Sequence, residues 1–200
     1  MMGPMPKLKY TGGRSNAYGA DEAERWLAEP ALANIEYVVD FGMGVGMMGA
    51  IVRRAMPFVH ITGVDLYPAP KRAQVYNEVV LADVYQHARS TKIRPHTLWV
   101  FGDVLEHLPK ANAMQLLNDP RPAAILIRIP VGPAPQPPQP DNPHEEHLWT
   151  FYPTDFQTVS RRVVRSLTKS RRKSRPDFTD LSRRPEYGTP NSYVGNYLLM

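Results

Sequence analysis

Glycines that directly follow an apolar run are the first residues whose types and spacing could do chemistry. The segment Val38–Gly46 contains the pattern Asp40-x-Gly42-x-Gly44-x-Gly46. Glycines after a strand let the backbone turn tightly and approach a ligand closely. The amide groups at the start of a following helix point to the same place, with the positive end of the helix dipole. The segment therefore predicts a ligand-binding loop between a strand and a helix.

Two cofactor chemistries fit this loop. The spacing Gly44-x-Gly46-x-x-Gly49 satisfies the dinucleotide pattern formally, whereas the pattern that begins at Asp40 adds a carboxylate at the end of the strand. A carboxylate there would repel a pyrophosphate and attract the amine and sulfonium of S-adenosylmethionine (SAM). Asp65, which ends the next apolar run, could bind the ribose of either cofactor. The electrostatics favour SAM.

Two further acidic residues, Asp83 and Asp103, end the third and fourth apolar runs. Asp103 opens the string Asp-Val-Leu-Glu-His-Leu-Pro at 103–109. On these residues the chain resembles the class I SAM-dependent methyltransferases, one branch of which has this string between a strand and a helix. The segment Asn-Pro-His-Glu-Glu-His-Leu at 142–148 is similar to the same branch, and the resemblance covers roughly residues 38–156.

The resemblance implies roles for the acidic strand ends. Asp40 and the glycine loop would hold the amino-acid end of SAM, Asp65 would bind the ribose, Asp83 and Val84 would meet the adenine, and Asp103 would lie near the methionine part. Asp83 and Asp103 could instead be helix caps. The N-terminal Tyr10 and Arg14 could fold over the cofactor. The predicted cofactor-binding residues are Tyr10, Arg14, Asp40, Gly42, Gly44, Gly46, Asp65, Leu66, Asp83, Val84, Asp103, Val104 and Leu105.

Three side chains are the catalytic candidates: His107, His147 and Glu146. Methyl transfer needs an aligned nucleophile and, for many acceptors, a base, and histidine titrates near neutrality. His107 could equally be a structural histidine in a turn. A divalent ion at His144, Glu145, Glu146 and His147 is a further alternative. These residues are nearly consecutive, and adjacent side chains rarely converge on one ion, so we predict no metal site.

Apolar runs alternate with helical patterns from residue 35 onward, which is typical of a parallel sheet covered by helices. The predicted strands are 35–40, 59–66, 78–82, 97–101, 123–130, 163–168 and 192–199. The predicted helices are 21–28, with Asp21 as its N-cap, 46–55, 70–74, 109–118 and 153–164. We predict an α/β fold: a three-layer α/β/α sandwich, Rossmann-like, with a mostly parallel seven-stranded sheet and an antiparallel last strand.

The predicted domain organisation is simple. Residues 1–34 form an N-terminal loop and helix, a possible lid, and residues 35–200 form the SAM-binding methyltransferase domain. Within it, the Pro-rich segment 132–150 is a lid or acceptor loop, and 169–186 is a basic insertion between the last two strands.

The composition limits the alternatives. The 200 residues include no cysteine, which excludes a disulfide scaffold, a thiolate zinc site and a cysteine nucleophile. Residues 160–184 carry ten basic and two acidic side chains, a net charge of +8, against −3 for the rest of the chain. Such a segment could be a solvated loop, could contact another subunit, or could bind phosphate backbones. No membrane span or secretory signal is recognisable, so we expect a cytoplasmic protein with no membrane partner.

The predicted function is methyl transfer from SAM to a small-molecule or peptide acceptor, by a monomer or homodimer. The alternatives are an RNA or DNA methyltransferase that uses the basic segment 160–184, an NAD-dependent reductase, and a non-catalytic binding module.

Overall fold

The computed structural model describes residues 20–67, 74–132, 136–138, 142–161, 163–169 and 193–200. Seven strands form one sheet: β1 (Tyr37–Phe41), β2 (His60–Asp65), β3 (Glu78–Leu81), β4 (Thr97–Gly102), β5 (Ala124–Val131), β6 (Val163–Lys169) and β7 (Tyr193–Leu199). Four α-helices accompany them: α1 (Ala20–Leu27), α2 (Met47–Ala55), α3 (Val84–Ser90) and α4 (Lys110–Leu117).

The strands lie in the order β3-β2-β1-β4-β5-β7-β6. The pairs from β3 to β5 are parallel, and β7 runs antiparallel to both β5 and β6. The predicted α/β fold, its mostly parallel sheet and its antiparallel last strand are confirmed. The strand order reverses between β1 and β4, and ligands of open α/β sheets bind at such a point.

Helices cover both faces of the sheet, so the sandwich has three layers. One core contains the buried side of α1 and α2 with Val38 of β1 and Leu98 of β4. The other contains α3, α4 and the alternate residues of the same strands, such as Phe41 and Trp99. Successive side chains of a strand point to opposite faces, and the two-sided burial explains why these strands read as continuous apolar runs.

Two local predictions are wrong, and one helix was not predicted. The helix that was missed is α3, which Asp83 caps in the structure. The predicted helix 153–164 is a 3₁₀ helix at Pro153–Thr158, and β6 begins at Val163. Asp21 lies inside α1 rather than before it.

The predicted helical turn at 70–74 lies outside the described residues except for Gln74. Tyr10, Arg14 and most of the basic segment 160–184 also lie outside them. Among the described residues, no helix combines the length and the apolar composition that crossing a membrane requires.

Candidate functional site

The loop after β1 places three glycines in the left-handed region of backbone space. Gly42, Gly44 and Gly46 have φ values of 67°, 48° and 84°. A Cβ at Gly42 would lie 2.3 Å from Cγ2 of Val104, which follows β4. Glycine is therefore required there for two reasons, its backbone conformation and its contact with the neighbouring loop. Gly46 is the N-cap residue of α2, so the loop leads directly into that helix.

Asp65 ties this loop to the end of β2. Its Oδ2 accepts a hydrogen bond from the backbone N–H of Gly44 at 2.9 Å, and its Oδ1 accepts one from the N–H of Tyr67 at 2.9 Å. Partial burial raises the pKa of Asp65, and the backbone donors oppose that rise. The predicted ribose-binding carboxylate thus lies beside the glycine loop, at the carboxyl ends of two neighbouring strands.

Asp40 lies beneath the loop rather than on its surface. It is 1% exposed, and its Oδ2 accepts a hydrogen bond from the Tyr76 hydroxyl at 2.6 Å. The backbone N–H of Gly49 on α2 also donates to it, and burial raises the pKa of Asp40 to about 7. A direct contact between Asp40 and a ligand would require Tyr76 or the loop to move, so that contact stays a prediction.

Tyr76 was not anticipated from the sequence. A Cβ on Gly49 would lie 2.5 Å from its ring, and a Cβ on Gly63 would lie 3.0 Å from it. Two glycines on facing elements thus make room for this side chain. No periodic pattern surrounds Tyr76 in the sequence. The two glycines were the one sequence feature that could have indicated a large side chain packed between these elements.

Asp83 and Val84 lie at the start of α3. Asp83 is exposed, and its Oδ1 accepts a hydrogen bond from the N–H of Gln86 at 2.8 Å, which makes it the N-cap residue. Val84 is buried. Asp83 therefore caps α3, as one of the two alternatives predicted. Its contact with adenine remains a prediction.

Asp103 forms an ion pair with a buried arginine. Nη1 of Arg128 on β5 donates to Oδ2 of Asp103 at 2.6 Å, and the Asp103 N–H donates to the Arg128 carbonyl at 2.8 Å. The Arg128 side chain is 0% exposed and that of Asp103 is 22% exposed. Asp103 has a φ of 55°, a conformation that non-glycine residues seldom adopt. Arg128 was visible in the sequence as the one charge in an apolar run, since a buried charge requires a partner.

A 3₁₀ turn at Leu105–His107 follows the end of β4. Leu105 is fully buried, and Glu106 is 2% exposed. Neither carboxylate oxygen of Glu106 has a hydrogen-bond partner on another described residue. Burial and the nearby Asp103 carboxylate raise the pKa of Glu106 well above its ordinary value. From the sequence, Glu106 was a further candidate for a group that acts on the acceptor, beside the three predicted catalytic residues.

The described part of the predicted lid is attached to the segments that follow β2 and β4. The Tyr67 hydroxyl donates to Oδ1 of Asn142 at 2.5 Å. Farther along, the N–H of Leu148 donates to the Glu106 carbonyl at 2.9 Å, and Nε1 of Trp149 donates to the Leu105 carbonyl at 3.2 Å. Tyr67 follows β2 and Leu105 follows β4, and these strands flank β1. Residues 142–149 are therefore anchored on both sides of the strand that carries the glycine loop.

This segment brings the three catalytic candidates together. Nδ1 of His107 lies 2.9 Å from the carbonyl oxygen of Glu146, and the His107 and His147 rings pack edge to face with centroids 4.8 Å apart. A carbonyl only accepts, so Nδ1 carries the proton and Nε2 keeps its lone pair. Burial lowers the pKa of His107 to about 4. The Glu146 side chain is exposed, so its contact here is made by its backbone.

Comparison with known proteins identifies the fold. No protein-family model matches the chain, and no curated protein matches it. A SAM-dependent methyltransferase from Archaeoglobus fulgidus has a TM-score of 0.59 and 15% identity, over 90% of this chain and 92% of that chain. An O-methyltransferase family protein from Burkholderia thailandensis has a TM-score of 0.52 and 13% identity, over 90% of this chain and 55% of that one. Human N-acetylserotonin methyltransferase, solved in complex with SAM, has a TM-score of 0.50 and 12% identity, over 90% and 51%.

The chain thus spans nearly all of the first protein and about half the length of the other two. At these identities the likeness establishes that the chain has the fold of SAM-dependent methyltransferases. Activity, cofactor and acceptor have to be argued from the site itself.

Proposed function

We propose that the chain transfers a methyl group from SAM to a small-molecule or peptide acceptor. The observation that carries this proposal is the convergence of the glycine loop, Asp65 and the Asp103–His107 segment at the carboxyl ends of β1, β2 and β4. That is the point where the strand order reverses, and it is where open α/β sheets bind their ligands. The similarity of fold to solved SAM-dependent methyltransferases supports the proposal.

The glycine loop fits SAM better than a dinucleotide. The N–H of Gly44, the first glycine of the formal dinucleotide pattern, donates to the Asp65 carboxylate. A pyrophosphate would need such amides free and would meet that carboxylate instead. Asp40 contributes less to this preference than Asp65, because its raised pKa leaves it partly protonated near neutrality and weakens its repulsion of a phosphate.

When bound, SAM would supply a methyl carbon that an acceptor nucleophile attacks, while the electrons of the broken C–S bond stay on sulfur and the acceptor loses its proton. The loop and Asp65 would hold the cofactor, as the resemblance implies. The segment 142–149 would cover it and exclude water, because it is anchored on both sides of β1. His107 and His147 would face the acceptor. With a pKa of about 4, His107 is a weak base at neutral pH, so positioning contributes more than proton removal by His107.

The anchored segment 142–149 is the reason for proposing a small-molecule or peptide acceptor. A lid of this length, without a separate recognition domain among the described residues, suits a small molecule or a peptide. An RNA or DNA acceptor is the runner-up, motivated by the +8 segment, most of which lies outside the described residues. RNA affinity that falls steeply with salt would favour it.

Transfer of a tritiated methyl group from SAM to pooled acceptors tests this proposal. We expect incorporation with the wild-type protein and its loss in Asp65→Asn, while Asp21→Asn, which changes an exposed carboxylate on α1, retains it. Thermal unfolding of each variant establishes that it is folded. Incorporation that is equal in all three proteins would overturn the assignment of Asp65, and NAD-dependent oxidation or reduction without methyl transfer would overturn the proposal.

A further inference from the structure

Three potential ligand side chains converge from two separate segments, the turn after β4 and the segment after β5. Donor atoms of Glu106, His107 and His147 all lie within 4.8 Å of one another. Glu106 and His107 belong to the turn after β4, and His147 comes from the segment after β5. We propose that these three side chains bind one divalent transition-metal cation.

The buried carboxylate of Glu106 is the strongest observation. It is 2% exposed, and neither oxygen has a hydrogen-bond partner on another described residue. A buried carboxyl without partners is costly, and a bound cation supplies what the surrounding protein does not. The carboxylates of Asp103 and Glu145 also act on Glu106, against the single positive charge of Arg128. This local excess of negative charge favours a cation.

The imidazole of His107 is already oriented as a metal ligand. Its Nδ1–H donates to the Glu146 carbonyl at 2.9 Å, which leaves the lone pair of Nε2 available. Metal-binding histidines characteristically donate their other ring N–H to such an acceptor, which fixes the tautomer and the ring.

The cluster is also held in place by its backbone. The N–H of Leu148, next to His147, donates to the Glu106 carbonyl at 2.9 Å, and the N–H of His147 donates to the carbonyl of Gln136 at 3.0 Å. Ligand distances of about 2.0–2.2 Å place two donors on one ion roughly 3.3 Å apart. The donors therefore have to close by at most about 1.5 Å to bind one ion.

The donor set identifies the class of cation. One carboxylate with two imidazoles suits Zn²⁺, Mn²⁺ or Fe²⁺ rather than Ca²⁺ or Mg²⁺, which prefer oxygen ligands throughout. Three protein ligands leave at least one position open. This role rests on the proposed methyl transfer: the open position would bind an acceptor oxygen and lower its pKa. The acceptor would then carry a hydroxyl group.

The test is calorimetric titration of chelator-treated, full-length protein with ZnCl₂ and, separately, MnCl₂. We expect one equivalent to bind the wild-type protein, with affinity at least tenfold weaker in Glu106→Gln and in His147→Ala. The matched control is His144→Ala, because His144 is an exposed histidine of the same segment and should leave the affinity unchanged. Thermal unfolding of each variant shows whether it is folded. If one of Glu106→Gln and His147→Ala does not fold, the other alone tests the proposal.

Absence of binding to the wild-type protein at millimolar metal would overturn the proposal. So would binding that persists unchanged in both Glu106→Gln and His147→Ala, because it would come from other residues. Titration of the same samples with S-adenosylhomocysteine separates the two proposals. Metal binding without binding of that product would support the metal site and count against the SAM site, and the reverse result would overturn the metal site alone.

Discussion

Asp40 is a buried carboxyl group whose pKa lies near 7 instead of its ordinary 3.8. Between these two values the folded protein holds a proton that the unfolded chain has released. Stability due to this group is therefore fully present below about pH 4 and is lost as the pH rises to about 7. A shift of about three units corresponds to roughly 4 kcal/mol.

Asp40→Asn should remove this pH dependence. We expect the variant to gain stability relative to the wild type as the pH rises from 4 to 8, with the difference approaching about 4 kcal/mol. Urea unfolding at a series of pH values measures it. Parallel stability profiles for the two proteins would show that Asp40 does not titrate in this range.

The Asp103–Arg128 pair makes a second prediction at the residue scale. Asp103→Asn leaves the fully buried guanidinium of Arg128 without this carboxylate, and breaking a buried ion pair on one side costs about 3 kcal/mol or more. Asp83→Asn is the matched control, because Asp83 is exposed and asparagine caps helices as well as aspartate does. Chemical denaturation of both variants tests the contrast, and equal losses would contradict it.

Single residues differ in how far the sequence determines their role. The glycines after β1 and Asp65 at the end of β2 could be predicted from their spacing in and after apolar runs. In the structure they lie together, because the Gly44 N–H donates to Asp65. Tyr76 and Arg128 act through partners distant in sequence, so their hydrogen-bond partners appear only in the fold. Whether Glu106 was exposed or buried was likewise undetermined, because a 3₁₀ turn after a strand has no periodic pattern.

At the scale of elements, the glycine loop and the turn after β4 fit tightly. Gly42→Ala should cost about 2–4 kcal/mol, since φ at this position is +67° and the added methyl group meets Val104. Val104→Ala in the same background should restore part of this loss, the part due to the clash. Denaturation of the two single variants and the double variant measures the coupling. Strictly additive effects would mean that the two loops do not touch.

The anchored segment 142–149 should open when one attachment is removed. Tyr67→Phe deletes the hydroxyl that donates to Asn142, so we expect faster amide hydrogen exchange in 142–148 with little change in the sheet. Tyr85→Phe, which removes a hydrogen bond to Gln115 on the surface, is the control. Unchanged exchange in 142–148 would show that the segment is held by its other end.

Strand boundaries were predictable on both the buried strands and the exposed edge strand β3, which was predicted at 78–82 and lies at Glu78–Leu81. The strands β1, β2, β4 and β5 are apolar runs and were found within one or two residues. Helix α3 escaped prediction because it is short and only Val84 and Ala88 are buried. The helix predicted at 153–164 joined a real 3₁₀ turn to the start of β6, because no glycine or proline lies between the two segments to mark the boundary.

At the scale of the whole molecule, the chain combines a common α/β sandwich with a site at the reversal of its strand order. The alternation of strand and helix patterns sufficed to predict a mostly parallel sheet with an antiparallel last strand, whereas the order of its strands was not predicted. The lid's attachment to Tyr67 and Leu105 did not follow, because it depends on contacts between segments about 40 to 75 residues apart.

The central claim is that this site binds the SAM skeleton, and calorimetric titration with S-adenosylhomocysteine tests it most directly, with NAD⁺ and NADH as parallel titrants. We predict one site with micromolar affinity for S-adenosylhomocysteine and no heat of binding for either dinucleotide, because Asp65 occupies the Gly44 amide and opposes a phosphate. A correctly folded protein that binds NAD⁺ or NADH but not S-adenosylhomocysteine would contradict the account.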